Sequence, residues 1–318
     1  MTLHSLSKHP CRLAVAAALL LVGLHGACAQ QTAQEEAKRR AENLAAFPHA
    51  ARAMFGQKVT PAQLQARSIG SYARGCLAGA VAMPVDGSTW RVMRHARNRN
   101  WGNPILIDYL ERLAKAVPQI NGWPGILIGD ISQPRGGPML TGHASHQIGL
   151  DADIWLTPMP ARGVTPTERE NMPALNMARS DWMDVDPSVW TGGQTRLIRT
   201  AASDPRIERI FVNPALKVAL CREAGADRGW LSKVRPMWGH NYHFHVRMVC
   251  PVGEPGCTPQ TPPGPGDGCG EELQDWLAKQ HKAIFAPRKP RIGPPPKPKP
   301  PLSLDALPAE CRQILVAR

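Results

Sequence analysis

Tyrosine and phenylalanine are scarce in this sequence of 318 residues, which has three Tyr and five Phe, and no segment of it repeats. Charged residues make up only 20% of the chain, whereas hydrophobic residues make up 43%. That balance excludes a coiled coil, a repeat array and a disordered chain, and it is sufficient for a buried core. The residues present in excess are 28 Gly and 32 Pro, which predict many turns between the core elements.

The chain is strongly basic, with 38 Lys and Arg against 25 Asp and Glu and a formal net charge of +13. A pI near 9.8 favours contact with a polyanion, which is nucleic acid, anionic lipid or an acidic wall polymer. No zinc-finger or RNA-recognition pattern is present, so nucleic acid is not an expected partner.

The N-terminus is typical of an exported protein. Basic residues up to Arg12 precede an apolar run over residues 13–24, and Ala27-Cys28-Ala29 provides a small-x-small cleavage site. An apolar run of about a dozen residues is too short for a comfortable membrane span, so we interpret residues 1–29 as a signal peptide. A retained membrane anchor and lipidation of Cys28 are the alternatives. The prediction is a periplasmic protein without a transmembrane segment in its mature form.

Six cysteines remain once Cys11 and Cys28 are removed with the signal peptide, and no Cys-x-x-Cys pair occurs. The lack of such a pair argues against a zinc ribbon or a redox site. An even number of cysteines in an exported chain indicates disulfides. Since six cysteines allow fifteen pairings, the connectivity does not follow from the sequence.

Hydrophobic periodicity predicts a mixed fold. Helical spacing of apolar residues predicts an amphipathic helix over 104–117, and a polar helix is expected over 30–47. A further helix is predicted from an Asn213 cap to Ala224. The elements show no regular strand–helix–strand alternation, so we predict an α+β fold with a mostly antiparallel central sheet, flanking helices and long loops. The predicted strands lie at 126–131, 150–156, 207–212 and 243–249.

The composition changes after Cys250. Pro and Gly dominate as far as residue 270, a short amphipathic segment surrounds Leu273–Leu277, and Lys and Arg alternate with Pro over 287–301. A segment of the last kind is expected to be extended and semi-rigid. It is either a ligand for the cell wall or a partner or, as we favour, a basic strap held at its far end by Cys311.

Two short segments, 142–153 and 238–246, contain five of the eleven histidines. Alternate residues of a strand share a face, so His243, His245 and Arg247 are expected on the face opposite to the core. Asp153 lies in another predicted strand, and His146 lies in the loop that enters it. Between them, Gly149 permits the sharp turn that brings a loop histidine and a strand carboxylate together.

Two imidazoles and one carboxylate are a ligand set for Zn²⁺ that leaves a fourth position open to water, as in catalytic sites. Such an ion lowers the pKa of its water toward about 7 and polarises a carbonyl, so the predicted chemistry is metal-assisted hydrolysis. A His-x-His pair alone is more often a packing or surface feature. The second His- and Asp-rich segment favours the metal site.

The spacing of His146 and Asp153, followed about ninety residues later by His243-x-His245, resembles the zinc peptidases of the lysostaphin and D-Ala-D-Ala metallopeptidase superfamily. Four strings are similar to one branch of it, the penicillin-insensitive murein endopeptidase family, over roughly residues 40–312. They are Gly-His-Ala-Ser-His-Gln-Ile-Gly-Leu-Asp-Ala-Asp-Ile-Trp, Ile-Phe-Val-Asn-Pro-Ala-Leu-Lys, Lys-Val-Arg-Pro and His-x-x-His-x-His-Val-Arg.

The resemblance implies that His146, Asp153 and His245 are zinc ligands and that His143 matches a further metal position. It implies that His243 is the general base or stabilises the transition state, with His240 assisting, which agrees with a neutral imidazole beside the ion. The activity implied is cleavage of D-alanyl–meso-diaminopimelyl cross-links in peptidoglycan. No nucleophilic serine is required, so β-lactams are not expected to inhibit it.

A departure from the family concerns a possible second metal. Where the family has Asp-x-x-His, this chain has Asp181-Trp-Met-Asp184, so a second metal site is in doubt. The cysteines match family positions, and the resemblance implies the pairs Cys76–Cys311, Cys221–Cys269 and Cys250–Cys257. It also makes residues 30–283 the zinc peptidase domain and residues 284–318 a Pro-rich basic tail that a disulfide ties back.

Arg135 and Arg247 are candidates for binding a substrate carboxylate, because a guanidinium matches its geometry. The alternative, that both are ordinary surface or structural arginines, has equal weight. Two further functions stay open: a D,D-carboxypeptidase or dipeptidase of the same superfamily, and a wall-binding protein without activity. The oligomeric state does not follow from the sequence.

Overall fold

The fold is known from a computed structural model that describes residues 21–287, 293 and 300–318. The helices are α1 Leu21–Ala46, α2 Ala51–Gly56, α3 Pro104–Asn121, α4 Pro166–Asn171, α5 Gly192–Ser203, α6 Pro214–Glu223, α7 Glu271–Phe285 and α8 Glu310–Val316. The strands are β1 Arg67–Ser71, β2 Arg74–Ala78, β3 Val81–Ala82, β4 Trp90–Val92, β5 Trp101–Gly102, β6 Ile126–Ile128, β7 Asp151–Trp155, β8 Ile207–Val212, β9 Val234–Pro236 and β10 His243–Met248. Most of the predicted signal peptide, residues 1–20, and most of the basic run in the tail lie outside the described residues.

The central sheet has six strands in the order β4-β6-β7-β10-β8-β9. The inner pairs β6–β7, β7–β10 and β10–β8 are antiparallel, and the outer pairs β4–β6 and β8–β9 are parallel. Two separate antiparallel pairs, β1–β2 and β3–β5, complete the strands. The predicted α+β fold with a mostly antiparallel sheet is confirmed.

Helices flank the sheet because their apolar faces pack on it. The side chain of Asn103 accepts the amide of Ile105 at 3.2 Å and so caps α3, which ends at Gly122 in the left-handed conformation with φ 69°. Asn213 caps α6 in the same way, accepting the amide of Ala215 at 3.0 Å. Both helices therefore start where the sequence predicts them. The buried face of α3 consists of Leu106, Ile107, Tyr109, Leu110, Leu113, Ala114 and Val117.

A second, smaller apolar cluster joins the two ends of the described chain. Its members include Phe55, Ile69 and Cys76 from the N-terminal part and Cys311 and Ile314 from the C-terminal part, all of them buried. The Cys76–Cys311 disulfide lies inside this cluster, so the C-terminal helix α8 belongs to the folded body. All three disulfides that the resemblance implies are present.

Among the described residues, no helix is both long and apolar enough to cross a membrane. The predicted cleavage position after Ala29 falls within α1, which continues to Ala46. The end of that helix contacts the body, because Asn43 donates its side-chain amide to the Leu140 carbonyl at 2.9 Å.

Candidate metal centre

Strands β7 and β10 are neighbours in the sheet, and their register sets the centre of the site. His245 lies directly opposite Asp153, and Arg247 lies opposite Asp151. On the other face of β10, Phe244, Val246 and Met248 are fully buried in the main core, as the alternation of the strand predicts. The core side chains therefore fix which face of the sheet the histidine and the carboxylate share.

His146 comes from the loop before β7 and is fully buried. Its backbone is left-handed, with φ 66°, and it is held on both sides. Ser132 donates to the His146 carbonyl at 2.7 Å, and the His146 amide donates to Asp151 Oδ2 at 2.9 Å. The ring nitrogen Nδ1 donates to the Ile131 carbonyl at 2.5 Å. The lone pair of His146 is therefore on Nε2.

His245 has the opposite tautomer. Its Nε2 donates to Asp151 Oδ1 at 2.9 Å, which leaves the lone pair on Nδ1. The same carboxylate accepts Arg247 Nε at 2.7 Å. Although burial opposes ionisation, Arg247 and His245 hold the pKa of Asp151 far below its usual range, so this carboxylate is an anion.

The three ligand atoms converge on one point. His146 Nε2 and His245 Nδ1 are 3.1 Å apart, and Asp153 Oδ1 is 3.5 Å from the first and 3.4 Å from the second. With both rings neutral, their two lone pairs would face each other, and Asp153 Oδ1 is buried with no hydrogen-bond partner among the described residues. A cation between the three atoms resolves both problems. The corners of a tetrahedron around zinc, with bonds of about 2.0–2.1 Å, are about 3.3 Å apart, so the set fits this ion.

His143 lies at the edge of the same cluster. Ligand atoms of His143, His146 and Asp153 all lie within 4.8 Å of one another, so His143 is also within reach of a metal. Its Nε2, however, is 3.1 Å from Asp130 Oδ2 and 3.5 Å from Asp153 Oδ2. A nitrogen that donates to Asp130 has no lone pair for a cation. In this structure the Nε2 of His143 is therefore paired with Asp130 and does not offer a lone pair to a metal.

Asp130 is a site residue that the sequence analysis missed. It is buried two residues after the end of β6, and both Arg99 and Arg97 donate to its Oδ2, at 2.8 Å and 3.2 Å. Although burial opposes ionisation, Arg99 and His143 hold the pKa of Asp130 far below its usual range. The available signal was a single acidic residue inside an otherwise apolar β-type run, Ile126–Ile131.

His243 is buried on β10 next to the cluster, with its Nε2 at 3.6 Å from Asp153 Oδ2. Its Nδ1 is buried and has no hydrogen-bond partner within the described part of the chain. Burial and the nearby His143 lower the pKa of His243, against the opposing effect of Asp153. A neutral imidazole at this position is able to accept a proton.

His240 stands in the loop before β10, with a left-handed backbone at φ 54° and its Nδ1 donating to the Trp238 carbonyl at 2.8 Å. Its ring lies 4.9 Å from that of His243. Burial and the neighbouring His243 and His245 lower the pKa of His240 to about 3, so this ring is also neutral. The structure thus brings all five predicted histidines to one place.

The two predicted carboxylate-binding arginines have other partners. Arg135 is buried, and its Nη1 donates to the carbonyls of Ile314, Leu315 and Ala317 at 2.7–2.9 Å, so it holds the end of helix α8. Arg247 is buried against Asp151, as described above. The structural alternative therefore accounts for both residues, and we do not retain them as substrate ligands.

Asp181 and Asp184 also have arginine partners. Arg179 Nη2 donates to Asp181 Oδ2 at 2.8 Å, and Arg222 Nη1 donates to Asp184 Oδ2 at 2.7 Å. Each carboxylate is thus already paired with a cation supplied by the chain itself.

Comparison with known proteins gives a consistent result. A family model described as penicillin-insensitive murein endopeptidase matches residues 68–316. A Haemophilus influenzae protein named penicillin-insensitive murein endopeptidase is 47% identical over 231 residues, which are 73% of this chain and 80% of that protein. Proteins of the same name from Klebsiella pneumoniae and Escherichia coli are 44% and 42% identical over 260 residues, which are 81% of this chain and 90% of each relative. The chain therefore belongs to the penicillin-insensitive murein endopeptidase family.

Proposed function

We propose that this protein is a zinc-dependent peptidoglycan endopeptidase that hydrolyses D-alanyl–meso-diaminopimelyl cross-links and is insensitive to β-lactams. The observation that carries the proposal is the convergence of His146 Nε2, His245 Nδ1 and Asp153 Oδ1, with both imidazole lone pairs directed at one point. The names of the relatives support murein as the substrate.

His146, His245 and Asp153 would hold the ion, and Asp151 and the Ile131 carbonyl fix the two imidazole tautomers. Zinc at this position supplies Lewis acidity toward the scissile carbonyl and acidifies water. His143 would lie at the edge of this ligand set, because Asp130 engages its Nε2.

His243 acts as the general base in this proposal. Its ring is neutral, and its Nε2 is the nitrogen that faces Asp153. It takes a proton from the attacking water and then delivers that proton to the leaving amine. His240 packs beside His243 and, as a second neutral ring, adds no positive charge that would disfavour the protonated base.

We propose that the protein acts in the periplasm after removal of residues 1–29. The sequence of the N-terminus and the even set of six paired cysteines support export. The net charge of +13 becomes +11 once Lys8 and Arg12 are removed, and it supports attraction to a wall polymer that carries free carboxylates.

The decisive experiment is mass spectrometry of purified muropeptides after incubation with the protein. Cross-linked dimers are expected to be cut to monomers, a chelator is expected to stop the reaction, and added zinc is expected to restore it. A β-lactam is expected to leave the rate unchanged. Cleavage of pentapeptide monomers with intact dimers would instead indicate a D,D-carboxypeptidase, and wild-type protein that binds no metal would contradict the proposal.

The variant His243→Ala tests the general base. We expect kcat to fall by about 10²–10⁴-fold, because proton transfer by a positioned side chain contributes that much, while zinc content stays at the wild-type level. The matched control is His281→Ala, which removes an exposed histidine of α7. Full activity of His243→Ala would mean that another residue is the general base. A wild-type protein that binds peptidoglycan but does not cleave it would instead favour a wall-binding protein.

A further inference from the structure

Helix α1 precedes residues 68–316, the part of the chain that the family model matches, yet it contacts the loop that carries His143. Thr141 Oγ1, two residues before His143, donates to Glu36 Oε1 at 2.5 Å. Asn43, two turns further along α1, binds the carbonyl of Leu140 at 2.9 Å. The histidine loop is therefore attached to α1 at two consecutive residues.

The Glu36 carboxylate also faces two arginines of the body, Arg97 and Arg99, in addition to the exposed Arg39 of its own helix, which is 3.4 Å away. Its oxygens lie 3.7 Å from Arg97 Nη2 and 3.9 Å from Arg99 Nη2, and the side chain is only 15% exposed. Arg99 additionally donates to the carbonyl and the hydroxyl of Thr141, at 3.0 Å and 2.9 Å. Against the opposing effect of burial, Thr141 and the two arginines lower the pKa of Glu36, so the group is an anion.

The same two arginines hold Asp130, which engages His143. Arg99 Nη1 and Arg97 Nη1 reach Asp130 Oδ2 at 2.8 Å and 3.2 Å, and His143 Nε2 reaches the same oxygen at 3.1 Å. Contacts of hydrogen-bond or ion-pair length thus run from Glu36 through the arginines and Asp130 to His143. Asp130 and Arg99 are almost fully buried, so water screens their charges little.

Glu36 is one of the two carboxylates in this network, and Asp130 is the other. Arg97 and Arg99 face both of them, while the exposed Arg39 reaches only Glu36 among the two. Without Glu36, Arg97 and Arg99 share the single carboxylate of Asp130, next to a cluster that has to attract a divalent cation. Removing one partner from a buried set of charges is strongly unfavourable for the remainder. The excess positive charge opposes metal binding, and the loosened Asp130 holds His143 less firmly.

We propose that Glu36 is a positioning residue of the metal centre and that helix α1 therefore contributes to the function of that centre. Glu36 acts through Arg97 and Arg99 on Asp130, and through Asp130 on His143. This inference rests on the proposed metal-dependent hydrolysis. It assigns a role in that site to a helix that lies before the matched residues.

The test compares Glu36→Ala with Glu42→Ala in the full chain. Glu42 lies in the same helix, with a side chain 60% exposed, and its ion-pair partner within the described part of the chain is Lys38, at 3.9 Å. Zinc affinity is measured by competition with a chromogenic chelator, and kcat and KM are measured on soluble cross-linked muropeptide dimers. For Glu36→Ala we expect zinc affinity and kcat to fall about tenfold, the lower end of the effects typical for residues that support metal ligands, with KM within about twofold of wild type. Glu42→Ala is expected to match wild type.

Two further measurements separate positioning from simple loss of structure. The thermal midpoint shows whether each variant is folded. Glu36→Gln keeps an acceptor for Thr141 but removes the charge, so we expect it to lie between wild type and Glu36→Ala. If Glu36→Ala does not fold, Thr141→Val takes its place, because it removes the short bond to Glu36 and leaves the helix sequence intact.

Zinc affinity and kcat for Glu36→Ala that equal those for Glu42→Ala would overturn the inference, as would tighter zinc binding. This outcome differs from failure of the proposed function, in which wild-type protein itself binds no zinc or cuts no dimer. If the wild type is active and Glu36→Ala is unaffected, the role of α1 is rejected while the proposed function is not.

Discussion

Asp151→Asn is the variant that tests the assigned tautomers most directly. Asp151 is fully buried, and its oxygens accept His245 Nε2 at 2.9 Å, Arg247 Nε at 2.7 Å and the amide of His146 at 2.9 Å. An asparagine has the same shape but has no charge, and one of its two positions is a donor. At least one of the three donors then faces another donor, and the buried Arg247 loses its counter-ion.

Two magnitudes follow for Asp151→Asn. Leaving one partner of a buried ion pair uncompensated costs about 3–5 kcal/mol, so the free energy of unfolding should fall by that amount. Replacing a group that orients a metal-binding histidine lowers metal affinity about 10–100-fold, which corresponds to about 1.4–2.7 kcal/mol. The second effect is expected because the Nδ1 lone pair of His245 faces the site only while Nε2 carries the proton.

The assays are urea-induced unfolding of the metal-free protein and zinc competition with a chromogenic chelator. Asp108→Asn is the control, since Asp108 forms an exposed ion pair with Arg112 on α3 and is expected to change neither quantity measurably. If Asp151→Asn binds zinc as tightly as Asp108→Asn, then Asp151 does not set the orientation of His245. The assignment of Nδ1 as the ligand atom would then be wrong.

Three other predictions concern the scaffold. Arg135→Met should lower the free energy of unfolding by about 2–5 kcal/mol and leave KM unchanged, because Arg135 holds the carbonyls of α8; a raised KM with unchanged stability would restore its role in substrate binding. In urea titrations, the double variant Cys76→Ala, Cys311→Ala should lose about 5 kcal/mol of the free energy of unfolding, and removal of the Cys250–Cys257 disulfide about 2 kcal/mol, because the sequence separations are 235 and 7 and a longer loop restricts the unfolded chain more. Equal losses would contradict this entropic account. Burial lowers the pKa of Lys217 to about 7 from an unfolded value of 10.5, so between these pH values the unfolded chain binds a proton that the folded protein does not. The free energy of unfolding of the wild type should therefore rise from pH 7 to pH 10, by up to about 1.4 kcal/mol per pH unit relative to Lys217→Met. Parallel curves for the two proteins would refute this.

Local signals in the sequence predicted the elements well. Asn103 and Asn213 each precede a proline, and both helices begin at that proline, because a capping side chain and a fixed φ act within one turn. Strand β8 has the predicted bounds, Ile207–Val212. Strand β6 is shorter than predicted and ends at Ile128, since the amide of Ile131 binds the carbonyl of Arg99 instead of a neighbouring strand. Helix α7, predicted as a short segment, is 15 residues long.

Contacts between residues far apart in the sequence could not be predicted in the same way. The alternation in β10 predicts which residues share a face, but not that His245 lies opposite Asp153, because register depends on pairing with a strand about ninety residues away. The same limit applies to Arg135 and Arg247, whose charge is evident in the sequence while their partners are not. Asp130 was missed for that reason too, since the arginines that stabilise its charge come from a separate loop.

The joining of both chain ends in one apolar cluster has a consequence for how the protein matures. Phe55 and Cys76 are synthesised early, and Cys311, which covers them together with its neighbours, follows Cys76 by 235 residues. Until then this layer stays open to water, whatever the state of the central sheet. Completion of the layer therefore requires helix α8, and a chain that lacks this helix would leave the apolar side chains of the N-terminal part exposed to solvent.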